Sequence, residues 1–280
     1  MNRTDITNKI VASIEQDRIP WRSPIARIAH RNLFSRKPYQ GINQFLLSLN
    51  VNASPYWATF AQWQAAGCGV RKGEKASTVI YFTIRERVND DDEKVTYPVM
   101  RYFSVFHIGQ VNDPNGKFRD ILDAAIETDF ETANHIIRAS GADIRIGGNE
   151  AFYLPEENYI RIPSSRQFEN EEERIATLLH ELGHWGERNI IGYKRPNINQ
   201  SEEYAFGELV AEMTACFLCQ SCGVPSDIKN HESYIGNWLK AMKNDSTYIF
   251  QASRMASQIA DGILERAGIT ADEEAEACVA

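Results

Sequence analysis

The sequence predicts an α+β protein in which a mixed α/β half is followed by a mostly helical half with a small β-sheet. One observation supports this class, and a second divides the chain into two halves. β-rich runs follow short helical segments before residue 119, whereas longer helical patterns dominate after it. The charge also changes sign, because residues 1–119 hold 17 basic and 10 acidic residues and residues 120–280 hold 13 and 28.

Two domains are therefore expected, at 1–119 and 120–280. The 280-residue chain is longer than one hydrophobic core usually serves, and the turn DPNGK at 113–117 lies where the charge changes. No run approaches the ~20 apolar residues that cross a bilayer. Five cysteines in a chain of this length do not indicate a disulfide framework. We expect a cytoplasmic protein without a membrane partner.

The first half is expected to contain three short helices and a β-hairpin. The helices are predicted at 5–16, 43–49 and 57–66, and the last of them follows a Ser-Pro break and ends at a glycine. The hairpin is predicted from STVIYFTIRERV and TYPVMRYFSVFHI, which the acidic turn NDDDEK separates.

The second half is expected to begin with a helix in DFETANHIIRASG and strands in ADIRIGG, AFYLP and NYIRIPS. Asn170 is the predicted N-cap of a long helix that has Glu173 at its third position and closes near Gly186. Two further helices are predicted, in EEYAFGELVAEMTACFLCQSCG and at about 233–266.

The run ERIATLLHELGHWGE at 173–187 has the spacing of a metal-binding helix. His180 and His184 are four residues apart, so their rings project from one helix face and can hold two corners of a tetrahedral zinc site. Glu181 lies beside them, where it can take a proton from a water that the metal activates. The alternative is a pair of surface histidines without an ion, although H-E-x-x-H arises by chance in only about one such chain per hundred.

The next predicted helix supplies two acids in GELVAE. Glu208 lies 24 residues after His184, and Glu212 follows one turn later on the same face. A buried carboxylate without a partner is costly, so acids on an apolar helix need a reason. We assign Glu208 as the third metal ligand and Glu212 as a hydrogen-bond acceptor for a ligand histidine. The reverse assignment, and two plain solvent-facing acids, remain alternatives.

The expected cofactor is Zn²⁺, with another divalent cation such as Mn²⁺ as the alternative. Stabilisation of an oxyanion would need a donor near the metal. Tyr193, Arg195 and Tyr204 are near enough in sequence, and the choice among them stays open.

The basic half combines cationic and aromatic side chains. Residues 18–73 contain eight basic residues and no acid. Cations that follow phosphates and rings that stack on bases are typical of proteins that bind single-stranded nucleic acid. The candidate DNA-binding residues are Trp21, Arg22, Arg36, Lys37, Tyr39, Asn43, Arg71, Lys72 and Lys75.

Several motifs carry a resemblance to a known family. PYQGIN, SPYWATFAQWQAAGCGVRKGEKASTVIYF and RYFSVFHIGQV resemble the N-terminal single-stranded-DNA-binding domain of ArdC-type antirestriction proteins, which TraC-type primases also contain. TLLHELGHW and YAFGELVAE are similar to the zincin-like metallopeptidase domain that follows it in that family. The resemblance extends over about residues 6–264.

The resemblance also implies roles for individual residues. The family's two metal histidines fall on His180 and His184, its catalytic glutamate on Glu181 and its ligand glutamate on Glu208. The chain departs from the family at three positions. Asn158 stands where the family often has an acid, Gly207 where it often has a glutamate, and His107 where it usually has an asparagine.

The implied function is that of a mobile-element protein that binds incoming single-stranded DNA and protects it from restriction, with a host protein as a possible substrate of the peptidase domain. One alternative is a non-enzymatic DNA-shielding protein whose metal only braces the fold. Another is a metalloprotease that cleaves a host regulatory protein. For a peptide substrate, NYIRIP is the expected edge strand for β-addition.

Overall fold

Helices and strands are interleaved in the first half of the chain. The computed structural model describes residues 2–22, 27–50, 54–88, 94–123, 127–193, 202–226 and 232–269. The elements of the first half are α1 (Arg3–Ile14), β1 (Arg31–Asn32), α2 (Ile42–Ser48), β2 (Tyr56–Thr59), α3 (Phe60–Ala65), β3 (Gly69–Val70), β4 (Ser77–Val88), β5 (Lys94–His107), β6 (Val111–Asn112) and α4 (Arg119–Asp123).

Long helices dominate the second half, so the α+β class is confirmed. Its elements are α5 (Phe130–Ala139), β7 (Asp143–Ile146), β8 (Phe152–Leu154), β9 (Tyr159–Ile162), α6 (Glu171–Asn189), α7 (Glu202–Gln220), α8 (Glu232–Asn244) and α9 (Tyr248–Arg266). Within the described ranges, no helix combines the length and the apolar composition that a membrane crossing requires.

A four-stranded sheet organises the first half in the order β1-β2-β5-β4. Strands β4 and β5 form the predicted hairpin, with Ser77 opposite Val105 at one end and Val88 opposite Lys94 at the other. The acidic turn at 89–93 lies outside the described residues. On one face of this hairpin, Ile80 joins the main hydrophobic core. Successive strand residues point to opposite faces, so toward the turn the other face of the hairpin is exposed to solvent.

The predicted helix at 57–66 is wrong in its first part. Trp57 and Ala58 belong to β2 and pair with residues of β5. Thr59 then starts α3 through a reciprocal capping arrangement. Its hydroxyl accepts a hydrogen bond from the backbone N–H of Gln62 at 3.3 Å, and the Gln62 side-chain oxygen accepts one from the backbone N–H of Thr59 at 2.9 Å. Strand pairing with a distant segment therefore overrides the local helical spacing.

Two further helix boundaries differ from expectation. Helix α6 starts at its predicted cap, where the Asn170 side chain accepts from the Glu173 amide at 2.8 Å, but it runs three residues past Gly186 to Asn189. The single helix predicted at about 233–266 is two helices, α8 and α9. The Asp245 carboxylate accepts from the Thr247 amide at 2.8 Å, and this local bond competes with helix continuation.

The second half of the chain contains a three-stranded sheet with the order β7-β9-β8. Strand β9 contains the NYIRIP segment and pairs with β7 in parallel and with β8 antiparallel. The prediction that this segment is an edge strand is therefore wrong. Its backbone groups are already used on both sides, so a substrate peptide cannot add to it.

The main hydrophobic core includes residues from both halves of the chain. Trp21 packs edge-on against Phe45, with ring centroids 5.7 Å apart, and against Trp238 of α8 at 5.9 Å. Ile6 and Ile10 of α1 belong to the same core. We keep 1–119 and 120–280 as a proposed division of the sequence, while the packing itself crosses that division.

His30 is a buried histidine in this first half. Its Nδ1 accepts a hydrogen bond from Trp57 Nε1 at 3.1 Å, and its Nε2 lies 3.1 Å from Ser48 Oγ. Burial, together with the nearby His107, lowers the pKa of His30 to about 3. The folded protein therefore keeps this ring neutral where an unfolded chain would protonate it.

Acid is expected to destabilise the protein through His30. The unfolded histidine takes a proton near pH ~6.5, so the stability contributed by the neutral ring is present above that pH and is lost as the pH falls toward 3. Between pH 7 and 5 this group should lower the free energy of unfolding by ~2 kcal/mol. His30→Asn keeps an acceptor for Trp57 and should remove that part of the slope in urea unfolding. His135→Asn is the exposed control, and an unchanged slope in His30→Asn would contradict the assignment.

Candidate metal centre

Helices α6 and α7 meet at a glycine. A Cβ added to Gly183 would lie 2.8 Å from the Ala211 Cα and 3.0 Å from its carbonyl oxygen, so only a residue without a side chain permits this contact. Gly183 directly precedes His184, and Ala211 lies three residues after Glu208. The close approach therefore brings the histidines of α6 against the acid of α7.

The three predicted ligands converge. His180 Nε2 lies 3.5 Å from Glu208 Oε2, and His184 Nε2 lies 3.3 Å from Glu208 Oε1. The ligand atoms of all three residues lie within 4.8 Å of one another. Ligand atoms ~2.1 Å from one tetrahedral zinc ion are ~3.4 Å apart, so these distances suit a single cation.

Burial and charge at this cluster also fit a divalent cation. His180 and Glu208 are buried, whereas the His184 side chain is 13% exposed. Burial by itself would raise the pKa of Glu208, but the charge of His184 and hydrogen bonds from both histidines outweigh it and hold the pKa well below its usual value. The carboxylate is thus ionised, which is the form that binds a metal.

Two more acids lie beside the cluster. Glu181 is buried on α6, next to His180. Glu212 of α7 accepts hydrogen bonds from Trp21 Nε1 at 2.8 Å and from Arg22 Nε at 3.0 Å, and a second Arg22 nitrogen binds its other oxygen. These hydrogen bonds come from residues of the basic half. The predicted role of Glu212 as an acceptor for a ligand histidine stays a prediction.

The structure contradicts the prediction that Trp21 and Arg22 bind DNA. Trp21 is 1% exposed, and its ring faces are covered by the core. The Arg22 side chain is 10% exposed, and its guanidinium pairs with Glu212. Neither residue can present a stacking face or a free charge to a polyanion.

Three other candidates share a groove of about 990 Å³ beside the four-stranded sheet. Lys37 and Tyr39 line it together with Tyr81 and Phe103. Asn43 also lines it, but its amide donates to the Ile80 carbonyl at 2.9 Å and accepts from the Ile80 amide at 2.7 Å. Asn43 therefore fixes the groove wall to β4, and its predicted contact with DNA stays a prediction.

The remaining candidates lie on exposed loops. Arg36 is exposed beside Lys37, and Lys72 and Lys75 are exposed between β3 and β4. Arg71 donates to the Glu74 carboxylate at 2.7 Å and to the Gly109 carbonyl, so its charge already has a partner. Contact of Arg36, Lys72 or Lys75 with DNA stays a prediction.

The sequence reasoning missed the outer face of the β4–β5 hairpin. Directly opposed residues of an antiparallel pair share a face, and here Tyr81 is opposite Arg101 and Arg85 is opposite Tyr97. The exposed side chains of this face, which we call the hairpin face, are Tyr81, Tyr97, Phe103, Arg85, Arg87 and Arg101. A period of two in YFTIRER and YPVMRYF is the signal that would have found it.

The predicted oxyanion donors are only partly placed. Tyr204 lies one helical turn before Glu208 on α7, and Tyr193 follows the end of α6. Both are more than a third exposed. Arg195 lies outside the described residues, so the choice among the three stays open.

Comparison with known proteins agrees with this architecture. Residues 131–255 match the model of a zincin-like metallopeptidase family, and residues 1–106 match the N-terminal domain of anti-restriction factor ArdC. A DNA primase TraC of Escherichia coli is 32% identical over 92% of this chain, which spans 26% of that primase. An uncharacterized protein y4eC of Sinorhizobium fredii is 31% identical, over 91% of this chain and 89% of its own length.

Solved structures give the same result. A metal-free crystal structure of the antirestriction ArdC protein of plasmid R388 superposes with a TM-score of 0.81 at 32% identity, over 95% of this chain and 97% of that one. The Mn(II)-bound structure of the same protein gives 0.78 at 33% identity, over 95% and 98%. An antirestriction-type N-terminal domain joined to a zincin-like domain is thus the class that fold and site define. The chain belongs to the ArdC antirestriction family.

Gly183→Ala is expected to separate α6 from α7. The added methyl group meets backbone atoms that cannot rotate away, so the free energy of unfolding should fall by ~1–3 kcal/mol, and metal binding should weaken by on the order of tenfold. Chemical unfolding and zinc titration measure the two effects.

Gly236→Ala in α8 is the matched control, since a Cβ there meets nothing within 4 Å. It should leave the metal affinity unchanged and raise stability by up to ~1 kcal/mol through helix propensity. Equal behaviour of the two variants would show that the Gly183 contact does not set the geometry of the cluster.

Proposed function

We propose that this protein binds single-stranded DNA entering a host cell and protects it from restriction, and that its second half is a zinc-dependent peptidase. The observation that carries the enzymatic part is the convergence of His180, His184 and Glu208 on one point beside Glu181. Membership of the ArdC antirestriction family supports the protective part.

The residues of the cluster divide the work of hydrolysis. His180, His184 and Glu208 would hold Zn²⁺, with Mn²⁺ as the alternative cation. When bound, the cation would polarise a peptide carbonyl and lower the pKa of water. The Glu181 carboxylate would accept a proton from the attacking water and return it to the leaving amine. A substrate would approach from the side of His184, whose side chain is 13% exposed.

The hairpin face supports the DNA part of the proposal. Three exposed aromatic rings lie among three exposed arginines, and Tyr81 is 61% exposed. Stacking of a base on an aromatic ring contributes ~1–3 kcal/mol and is largely independent of sequence. The Arg87 guanidinium lies 5.8 Å from the Tyr97 ring, which places a cation beside a stacking surface. The groove lined by Lys37 and Tyr39 adjoins Tyr81 and Phe103 at one end of this face.

Glu181→Gln tests the enzymatic part. The substitution keeps the metal ligands and removes the base, so cleavage of fluorescein-labelled casein should fall by about 10²–10⁴-fold while the zinc content stays at the wild-type level. His180→Ala should lose the zinc, as measured by elemental analysis of the purified protein.

The protection of incoming DNA separates the rival functions. A plasmid that the host's restriction enzyme cleaves is introduced into cells that express the wild-type protein or Glu181→Gln, and the cells that acquire the plasmid are counted. A loss of protection in Glu181→Gln would support proteolysis of a host protein. Full protection by Glu181→Gln, together with wild-type protein that leaves casein intact, would reject the peptidase and leave DNA shielding with a structural metal.

Single-stranded DNA is expected to bind along the hairpin face. Tyr81→Ala and Phe103→Ala should each weaken the binding of a labelled dT20 oligonucleotide by about tenfold, because each removes a stacking surface. Arg101→Gln should lower the slope of log affinity against log salt concentration by about one, because it removes a phosphate contact. Fluorescence anisotropy of the full chain between 50 and 200 mM salt measures both.

Phe130→Ala is the matched control for these aromatic variants. Phe130 is 40% exposed, close to the 46% of Phe103, but it lies on α5 in the acidic half. Its replacement should leave DNA binding unchanged. If all the variants bound as tightly as wild type, the hairpin face would be excluded as the DNA site.

A further inference from the structure

Glu212 lies one helical turn after the proposed ligand Glu208 and is held from the other half of the chain. It is buried, and its partners Trp21 and Arg22 are 191 and 190 residues away in sequence. Its carboxylate accepts one hydrogen bond from the Trp21 indole and two from the Arg22 guanidinium.

The Trp21–Arg22 dipeptide is itself firmly held. The Trp21 indole packs against Phe45 and Trp238. The backbone carbonyl of Trp21 accepts a hydrogen bond from Ser226 Oγ at 3.0 Å. The Arg22 guanidinium lies 6.0 Å from the Trp238 ring. The donors that meet Glu212 therefore have a fixed position relative to α8 and to the end of α7.

This arrangement constrains the position of Glu208. A buried carboxylate that loses its cationic partner is strongly unfavourable, so α7 is held where Arg22 can reach Glu212. Glu208 lies one turn earlier on the same helix, so holding Glu212 in place also holds the backbone that carries Glu208.

We propose that Arg22 is a positioning residue of the metal centre, contributed by the basic half of the chain. Arg22, assisted by the Trp21 indole, fixes Glu212 and through it the place of Glu208 against His180 and His184. The metal centre is then completed only when the N-terminal segment is docked. This inference rests on the proposed function, in which the cluster binds Zn²⁺.

Zinc titration of the full chain against a fluorescent chelator at pH 7.5 tests the proposal. Arg22→Gln should raise the zinc dissociation constant by about 10–100-fold, the usual effect of removing a group that supports a metal ligand. Arg22→Lys keeps the charge but loses the two-pronged hydrogen bonding, so it should recover part of the affinity. Arg27→Gln is the matched control, because Arg27 also belongs to the basic half but pairs with the partly exposed Glu172.

Thermal unfolding of each metal-free variant separates positioning from stability alone. A lower Tm in Arg22→Gln with an unchanged or tighter zinc affinity of the folded protein would overturn the proposal. If Arg22→Gln does not fold, Trp21→Phe carries the test. Trp21→Phe keeps an aromatic ring but removes the indole N–H, and with it the 2.8 Å hydrogen bond to Glu212. A several-fold weaker zinc affinity is therefore expected, and an unchanged affinity would refute the positioning role. Wild-type protein that binds no zinc would instead defeat the proposed function itself.

Discussion

The close contact between α6 and α7 is the constraint on which the rest of the structure depends. It requires a glycine at position 183, because any side chain there would meet the backbone of Ala211. With the helices this near, one face of α6 presents two histidines to a buried acid of α7 at distances that suit one cation. Helices α5, α8 and α9 and strands β8 and β9 pack against this pair.

The two halves of the chain differ in charge but share a core. The basic half supplies α1 and the Trp21–Arg22 dipeptide to the helical half, and it keeps the hairpin face at the surface. A buried ion pair alone is weak evidence for stability, since desolvation can cancel the attraction. The Arg22–Glu212 ion pair lies beside the proposed metal ligand Glu208, and this position suggests that the pair helps to set the geometry of the metal centre. The sites that we propose for polyanion binding and for metal chemistry thus lie on different elements of one connected structure, the β4–β5 hairpin and the α6–α7 pair.

Local patterns predicted much of the fold and the helix face of the candidate metal cluster. The spacing of His180 and His184 and the Asn170 cap depend on helical periodicity, which a single segment contains. The strand at Trp57, the central position of β9 and the partners of Glu212 depend on segments far away in sequence, so no local pattern indicated them. Trp21 and Arg22 were misassigned for the same reason: composition suggests an exposed basic surface, whereas packing buries these two residues.

The most direct measurement is a crystal structure of the zinc-loaded protein with anomalous diffraction recorded on both sides of the zinc absorption edge. The account predicts one strong peak ~2.0–2.2 Å from Nε2 of His180, Nε2 of His184 and a carboxylate oxygen of Glu208. A peak bound by other residues, or no peak at a cluster whose three side chains point apart, would contradict it.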